Sequence, residues 1–315
     1  MKALITGITG MAGSFLAEHL IAHGDQVIGT SRRGLWPSYL PETLARQASV
    51  FAWDVAADLP ETARERIADF APDCIFHLAA LSVPADCGWP EPTPLALATN
   101  VGGVERVCSL AASLASRPRV VLASSCHVYG DVEQDAPPCK ETDPLRPSGG
   151  YGKTKRAAEE VLRRYTREGR LQGVVARAFH HTGPRQLPRL MVPQWARQLI
   201  STPAESLRIV TRDAWLDLAD VRDVVRAYRL LALQAEAGAV YNVATGRAVR
   251  SGDVLDLLLR MCGSQREVLE TAPGVRGNPV GDMEKIRRQT GWSPEIPLQQ
   301  TLRDTLDFWR ARPFD

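Results

Sequence analysis

Short apolar runs alternate with amphipathic helical stretches through the first half of the chain. The predicted strands are Ala3–Thr6, Gln26–Thr30, Val50–Trp53, Cys74–Leu78, Val120–Ser124 and Gly173–Arg177. The predicted helices are Ala12–His23, 60–70, 94–116 and 150–168. Strands that alternate with helices pair in parallel through crossover connections. The pattern therefore predicts an α/β fold with a doubly wound parallel sheet.

The rhythm changes after residue 178, where prolines at 184, 188, 193 and 203 interrupt the pattern. Helices are predicted at 191–202, 221–235, 251–262, 284–290 and 298–311, and short strands near 207–210 and 240–243. We expect two units: a sheet domain at 1–178, with sheet elements returning near 207–243, and a smaller, mostly helical lobe at 179–315 that binds the substrate.

Composition narrows the class of protein. Hydrophobic residues make up 44% and charged residues 23% of the 315, which is typical of a globular protein. A net charge of +2 favours neither nucleic acid nor a membrane surface as a partner. The amino terminus lacks a secretory pattern, which predicts a cytoplasmic protein. The cysteines show no C-x-x-C spacing and are expected to be free thiols; they are Cys74, Cys87, Cys108, Cys126, Cys139 and Cys262.

A glycine-rich turn follows the first predicted strand and opens the first helix. Glycines at 7, 10 and 13 give the spacing G-x-x-G-x-x-G. Small residues let the backbone approach a pyrophosphate, and the helix amino terminus offers amide donors. The turn predicts a Rossmann-type dinucleotide site whose contacts are Gly7, Thr9, Gly10, Met11 and Gly13.

The end of the second predicted strand bears on which dinucleotide is bound. Sites that prefer NAD usually carry an acid here, whereas an arginine accommodates the 2′-phosphate of NADP. This chain has Ser31, Arg32 and Arg33, so NADP(H) is the preferred cofactor and NAD(H) is possible. The alternative is that the two arginines only form a solvated loop. Asp54, after the third strand, could accept a hydrogen bond from the adenine amino group.

Tyr151 and Lys155 lie four residues apart and share one face of a predicted helix, with Ser125 one strand earlier. A free phenol has a pKa near ~10, and an adjacent positive charge lowers it. The trio therefore forms a candidate acid/base unit for carbonyl and alcohol chemistry. The Tyr/Lys spacing alone is common on solvated helices, so its weight depends on the rest of the chain.

The combined motifs resemble the extended short-chain dehydrogenase/reductase family over essentially the whole chain. The motifs are the glycine turn, His77–Ala80, Asn100–Gly102, Ser124–Gly130, Tyr151–Lys155, Asp220–Val224, Tyr241–Val243 and Thr290–Pro294. Phe179–Pro184 is similar to a run found in the nucleotide-sugar branch, around the GDP-mannose 4,6-dehydratases and the GDP-4-keto-6-deoxymannose reductases.

The resemblance implies a function and roles. Tyr151 would be the general acid, Lys155 would lower its pKa and bind the nicotinamide ribose, and Ser125 would hold the reacting oxygen. The reaction would be reduction of a sugar 4-keto group by NADPH, with a nucleotide-sugar epimerase as the alternative and a non-enzymatic NADP-binding sensor as a lesser one. The resemblance also implies a homodimer through helices 94–116 and 150–168. Further cofactor contacts would be Val55, Leu78, Ala79, Ala80 and Phe179.

The residues after Ser125 separate the possible reactions. Dehydratases of this branch carry a glutamate two positions later, where this chain has His127. We therefore do not expect dehydration; His127 could abstract a proton or could simply line the pocket. His127, His180 and His181 could suggest a metal site, but no metal is expected, because the adjacent His180 and His181 should point in opposite directions and only one of them would reach the site. The candidate substrate contacts are Ser82, Cys126, His127, His180, Arg185 and Arg276.

At two positions this chain differs from the nucleotide-sugar branch in residues that would bind the diphosphate of the substrate. Leu216 stands where an arginine is expected, and Ala272 stands where the reductases often have another. Arg185, Arg212 and Arg276 lie nearby in sequence and could replace them. Otherwise the substrate carries an unusual nucleotide, or none.

Overall fold

The computed structural model describes residues 1–201 and 205–312. Its main sheet has seven strands, all paired in parallel. They are β1 (Lys2–Thr6), β2 (Gln26–Ser31), β3 (Ser49–Ala52), β4 (Cys74–His77), β5 (Arg119–Ser125), β6 (Gly173–Ala178) and β10 (Val240–Val243). The order across the sheet is β10-β6-β5-β4-β1-β2-β3. The predicted doubly wound α/β fold is confirmed.

Helices cover both faces of this sheet. They are α1 (Met11–Ala22), α2 (Glu42–Gln47), α3 (Glu61–Phe70), α4 (Pro94–Asn100), α5 (Gly102–Ser113), α6 (Gly150–Arg167), α8 (Val221–Gln234) and α10 (Glu284–Thr290). Alternate residues of a strand point to opposite faces. Ile5 accordingly belongs to the core cluster that includes Leu16 of α1 and Val224 of α8, and Leu4 to the cluster that includes Leu162 of α6.

The long helix predicted at 94–116 is two helices, α4 and α5, and that prediction was wrong in this respect. They meet at Val101. The cause is Asn100, whose buried amide bonds both backbone groups of Leu81 and donates to Thr154 Oγ1 over 3.0 Å. These bonds hold the end of α4 against the loop after β4 and the start of α6. The short helix α2 was not predicted.

The remaining described residues form two smaller sheets and three further helices. The elements are β7 (His180–Thr182), β8 (Leu207–Ile209), β9 (Ala214–Asp220), β11 (Ala248–Arg250), β12 (Val268–Glu270), β13 (Arg276–Gly277), α7 (Met191–Ser201), α9 (Ser251–Met261) and α11 (Leu298–Arg310). Of the two strands predicted here, β10 joins the main sheet but β8 pairs with β12. The sequence did not predict β7, β9, β11, β12 or β13. The predicted helix end at residue 202 and Pro203 lie outside the described residues.

The division of the chain at residue 178 stays a prediction. All six cysteines are free thiols, as expected. Among the helices of the described residues, none has both the length and the apolar character needed to cross a bilayer.

Candidate active site

Ser125, Tyr151 and Lys155 meet at the carboxyl end of β5. Ser125 ends the strand, while Tyr151 and Lys155 occupy the first turns of α6. A hydrogen bond joins the Ser125 and Tyr151 side chains. The Lys155 ammonium donates to the Ala123 carbonyl over 2.8 Å and lies 5.8 Å from the Tyr151 ring centroid. The structure therefore brings the three predicted catalytic residues together.

Two glycines allow the first turn of α6 to pack closely against the backbone of the preceding loops. A Cβ at Gly150 would come within 2.3 Å of the Cys87 carbonyl oxygen, and one at Gly152 within 2.4 Å of the His127 carbonyl oxygen. Backbone carbonyls cannot yield easily to such contacts. These glycines therefore fix how deeply Tyr151 sits beside the strand end.

Burial governs the electrostatics of this trio. It raises the pKa of Tyr151 above its usual value, and the hydrogen bond with Ser125 opposes that rise. Burial also lowers the pKa of Lys155 to about 8, against the attraction of Cys87 and Glu159 for the ammonium form. From the sequence, the charge of Lys155 was expected to lower the pKa of the phenol. In the structure, desolvation of the phenol raises that pKa instead.

Tyr151 faces a cavity of about 300 Å³. Its wall includes His127, Trp89, Asp131 and Ser148. Trp89 and Asp131 were not predicted as site residues, because a single tryptophan or aspartate in a loop forms no recognisable motif. An exposed indole beside a carboxylate and a hydroxyl suits a ligand with both apolar and hydroxylated faces.

The loop that carries Trp89 is anchored on both sides. Asp86 forms a two-bonded ion pair with Arg189, at 2.8 and 3.0 Å, and Glu91 pairs with Lys153 of α6 over 2.5 Å. The amide of Gly150 also donates to the Gly88 carbonyl over 3.0 Å. Trp89 is 72% exposed and is nonetheless held in place at the cavity wall.

Three other candidate residues cluster beside Tyr151. The His127 ring lies 5.4 Å from the rings of both Tyr151 and His180, and Cys126 Sγ lies 3.8 Å from His180 Nδ1. His181 instead places Nδ1 2.9 Å from the Phe179 carbonyl oxygen. The two adjacent histidines thus make different contacts, as the strand geometry predicted. Burial raises the pKa of Cys126 to about 12, which disfavours a nucleophilic thiolate.

The glycine turn has the form that a dinucleotide phosphate requires. Gly7 has a φ of 72° and lies so close to Ala79 that a Cβ would fall 2.8 Å from its amide nitrogen. A Cβ at Gly13 would come 2.2 Å from the Gly7 carbonyl oxygen, so α1 packs tightly on the turn. Gly10 caps α1 without a side-chain hydrogen bond, which leaves the first helix amides available to an anion. This backbone fits the predicted cofactor.

The other predicted cofactor contacts are distributed around this edge of the sheet. Ser31 is buried and accepts a bond from the Gly34 amide over 3.0 Å, whereas Arg32 and Arg33 are exposed. Asp54 is exposed and accepts from the Ala56 amide, and Val55 is buried.

The loop after β4 and the residue after β6 hold the last predicted contacts. Leu78, Ala79 and Ala80 pass beside the glycine turn, where the Ala79 amide donates to Thr6 Oγ1 over 3.3 Å. The Phe179 ring is buried in a small apolar cluster with Tyr129.

The predicted substrate residues outside the cavity lie in several places. Ser82 is exposed. Arg185 reaches α1, where it bonds Ser14 and pairs with Glu18 over 2.7 Å. Among the arginines proposed to grip a diphosphate, Arg212 pairs with Asp256 over 2.5 Å. Arg276 is exposed and bonds a backbone carbonyl at 3.4 Å.

Leu216 is buried in the apolar cluster that includes Trp195 and Leu255, and it does not line the cavity. An arginine would therefore not fit at this position without rearrangement. Arg276 precedes Gly277, where an added Cβ would lie 2.2 Å from the Val132 carbonyl oxygen. That loop continues from Asp131 at the cavity wall, and Arg276 is one residue from this contact.

The chain is similar to a known protein family, to a characterised relative and to several solved structures. The family described as "NAD dependent epimerase/dehydratase family" matches residues 3–244. The chain is 30% identical to a GDP-6-deoxy-D-mannose reductase of Pseudomonas aeruginosa over 250 residues, covering 76% of this chain and 81% of the relative. RMD from Pseudomonas aeruginosa, solved with NADPH, superposes with a TM-score of 0.82 at 25% identity over 99% of both chains. A Thermotoga maritima UDP-glucose 4-epimerase with UDP-glucose gives a TM-score of 0.87 at 25% identity, again over 99% of both chains.

Proposed function

This chain belongs to the NAD dependent epimerase/dehydratase family, and on that premise we propose that it uses NADPH to reduce a 4-keto group on a nucleotide-linked deoxysugar. The extended short-chain dehydrogenase/reductase resemblance is confirmed by that membership. The observation that carries the proposal is the contact of Ser125 and Lys155 with Tyr151, which lines a cavity of about 300 Å³.

The roles of the three residues follow from their contacts. When bound, the nicotinamide cofactor supplies a hydride to the carbonyl carbon. Tyr151 gives its phenolic proton to the carbonyl oxygen as negative charge develops there. The Ser125 hydroxyl, already bonded to Tyr151, holds that oxygen in reach of the phenol. The Lys155 ammonium stabilises the phenolate that remains, and a lysine pKa of about 8 keeps it mostly charged near neutral pH.

Features of the β2 end favour NADPH over NADH. Arg32 and Arg33 are exposed directly after β2, and Ser31 occupies the position where an acid would repel a 2′-phosphate. RMD from Pseudomonas aeruginosa, a structural neighbour, was solved with NADPH. NADH remains a usable cofactor in this proposal, since the glycine turn serves both.

Reduction is favoured over dehydration by the residues beside Tyr151. The side chains after Ser125 are the buried thiol of Cys126 and the imidazole of His127, and neither is a carboxylate. Burial lowers the pKa of His127, and nearby Asp131 opposes that shift. Asp131 itself is exposed at the cavity rim. A similar relative, the GDP-6-deoxy-D-mannose reductase, supports the same choice.

The nucleotide part of the substrate needs a cation outside the cavity. We assign this role to Arg276, which is exposed beside the loop that follows Asp131. Arg185 and Arg212 are each paired with an acid, so a diphosphate would have to displace Glu18 or Asp256.

A homodimer is part of the proposal. Leu95 and Leu97 of α4 lie within the segment 94–116 through which pairing is expected, and they are 59% and 45% exposed. Ala111 and Ala158 are buried within one subunit and would not mediate contact.

The test is a panel of 4-keto-6-deoxyhexoses linked to GDP, UDP or dTDP, incubated with NADPH. The proposal predicts that one nucleotide series is reduced with one NADPH oxidised per product. An epimerase would interconvert sugars without net oxidation of the cofactor. NADPH binding with no turnover of any member would instead support the sensor alternative.

A further inference from the structure

A thiol and two imidazoles lie together beside Tyr151, and the proposed reduction does not use them. Cys126 and His127 form the turn after β5, and His180 begins β7. One donor atom from each of these three side chains lies within 4.8 Å of the other two. From the sequence, His127, His180 and His181 were considered as metal ligands and no metal was expected. The fold adds Cys126 to His127 and His180, because β5 and β6 are neighbours and their ends lie at the same edge of the sheet.

The spacing of the donors fits a tetrahedral ion. With Zn–S and Zn–N bonds of about 2.3 and 2.1 Å, a sulfur and a nitrogen on one zinc lie roughly 3.6 Å apart. Cys126 Sγ and His180 Nδ1 are 3.8 Å apart before any ion draws them together. The His127 and His180 ring centroids are 5.4 Å apart, and the rings would rotate to bring one nitrogen each, now within 4.8 Å of the other donors, to a common point.

The chemistry of the donors selects the metal. His127 and His180 each offer a ring nitrogen, and Cys126 offers a sulfur. A set of one sulfur and two nitrogens favours Zn²⁺ and Co²⁺ over Mg²⁺ or Ca²⁺, which take oxygen ligands. Cys126 is 1% exposed, and because a cysteine binds a metal as the thiolate, metal binding releases the thiol proton.

We propose that Cys126, His127 and His180 bind one Zn²⁺ ion at the wall of the Tyr151 cavity. The Cys126 thiol loses its proton to solvent, one Zn–S and two Zn–N bonds form, and water fills the remaining position on the side of the cavity. No electron is transferred. Because His127 lines the cavity and its ring lies 5.4 Å from that of Tyr151, the ion occupies space that the substrate needs. Zinc is therefore a reversible inhibitor that competes with the sugar and is not a cofactor of the reaction.

Cobalt provides a direct probe of the site without substrate or nicotinamide. We expect the full chain to bind one Co²⁺ with a thiolate-to-metal charge-transfer band in the near ultraviolet, and zinc to displace it. Cys126→Ser should abolish the band and weaken zinc binding by about 100-fold or more. His180→Asn should weaken zinc binding while retaining the fold, which circular dichroism checks.

Two variants provide matched controls. His181→Asn changes the neighbouring histidine, which bonds the Phe179 carbonyl, and Cys262→Ser removes a more accessible thiol far along the chain. Both should bind cobalt and zinc as the wild type does. The site is refuted if the wild type shows no charge-transfer band, if Cys126→Ser retains it, or if Cys262→Ser loses it.

The inhibitory consequence rests on the proposed function and is tested separately. Zinc should raise the apparent KM for the sugar in the wild type, chelation should reverse the effect, and His180→Asn should be less sensitive. Inhibition that persists unchanged in His180→Asn contradicts the consequence. Cobalt binding with no reductase activity would refute the proposed function and leave the metal site standing.

Discussion

Arg177 of β6 and Glu159 of α6 form a two-bonded ion pair buried directly behind the candidate catalytic residues. The bonds measure 2.9 Å from Nε to Oε1 and 2.8 Å from Nη2 to Oε2, and the two side chains are 1% and 0% exposed. Glu159 also accepts from Ser124 Oγ over 2.6 Å. Since Ser124 precedes Ser125 and Glu159 lies one turn beyond Lys155, the pair sets the position of α6 against β5.

Breaking this pair on one side should be costly. Glu159→Ala leaves the Arg177 guanidinium buried without its carboxylate, and we expect a loss of about 3–5 kcal/mol in the free energy of unfolding. Glu159→Ala combined with Arg177→Met should lose less than the sum of the single changes. Urea unfolding of the four proteins measures this coupling. Strictly additive losses would show that the pair acts as two independent groups.

Lys155 should destabilise the folded chain at neutral pH. Its folded pKa of about 8 lies below the 10.5 of the unfolded lysine, so the unfolded state binds more protons between these values. The free energy of unfolding therefore rises as the pH increases from about 8 to 10.5. Below about pH 8 the buried ammonium destabilises the fold to its full extent. Lys155→Met removes that cost, and we expect it to be more stable by on the order of 2 kcal/mol near pH 7.

The advantage of Lys155→Met should shrink as the pH approaches 10, while the variant loses reductase activity. Denaturant titrations of both proteins across this range provide the measurement. Equal dependence of stability on pH in the two proteins would contradict the assigned shift.

Cofactor preference should depend on Arg32. An aspartate in its place would repel the 2′-phosphate and favour the ribose hydroxyls, so Arg32→Asp should lower NADPH affinity by roughly tenfold or more and spare NADH. Arg167→Asp, an exposed charge reversal at the end of α6, is the control. Fluorescence titration with both cofactors decides the point, and an unchanged ratio of affinities in Arg32→Asp would refute the assignment.

Trp89 should contribute to sugar binding through its exposed ring at the cavity wall. Trp89→Ala should raise KM about tenfold with a smaller effect on kcat, because the ring contacts the sugar and not the reacting atoms. Trp89→Phe should recover part of the loss. Leu233→Ala, a change at an exposed apolar residue that does not line this cavity, should leave KM unchanged. A fall in kcat alone would assign Trp89 a different role.

Local signals carried most of what the sequence revealed. The glycine turn, the alternating strands and the Tyr151/Lys155 spacing each follow from rules that act within a few residues. Trp89 gave no such signal, because its role depends on a loop anchored by the distant Arg189. The sequence did not predict the proposed metal site for the same reason, since His180 meets Cys126 only through the pairing of β5 with β6.

The ion pair of Arg185 and the pKa of Tyr151 also differ from what the sequence predicted, because both depend on residues that are distant in the chain. Arg185 was expected at the substrate and instead pairs with Glu18 of α1, 167 positions earlier. The phenol pKa of Tyr151 was expected to fall beside Lys155, but burial raises it. Burial depends on the whole fold, which spacing along a helix does not contain.

The central claim is tested most directly by tracing the hydride. NADPH labelled with deuterium at the transferable position is incubated with the nucleotide-linked 4-keto-deoxysugar, and the product is examined by NMR and mass spectrometry. The account predicts one deuterium at sugar C4 per NADP formed, with turnover lowered by about 100-fold or more in Tyr151→Phe although NADPH still binds. Product without deuterium at C4, or near-normal turnover in Tyr151→Phe, would contradict it.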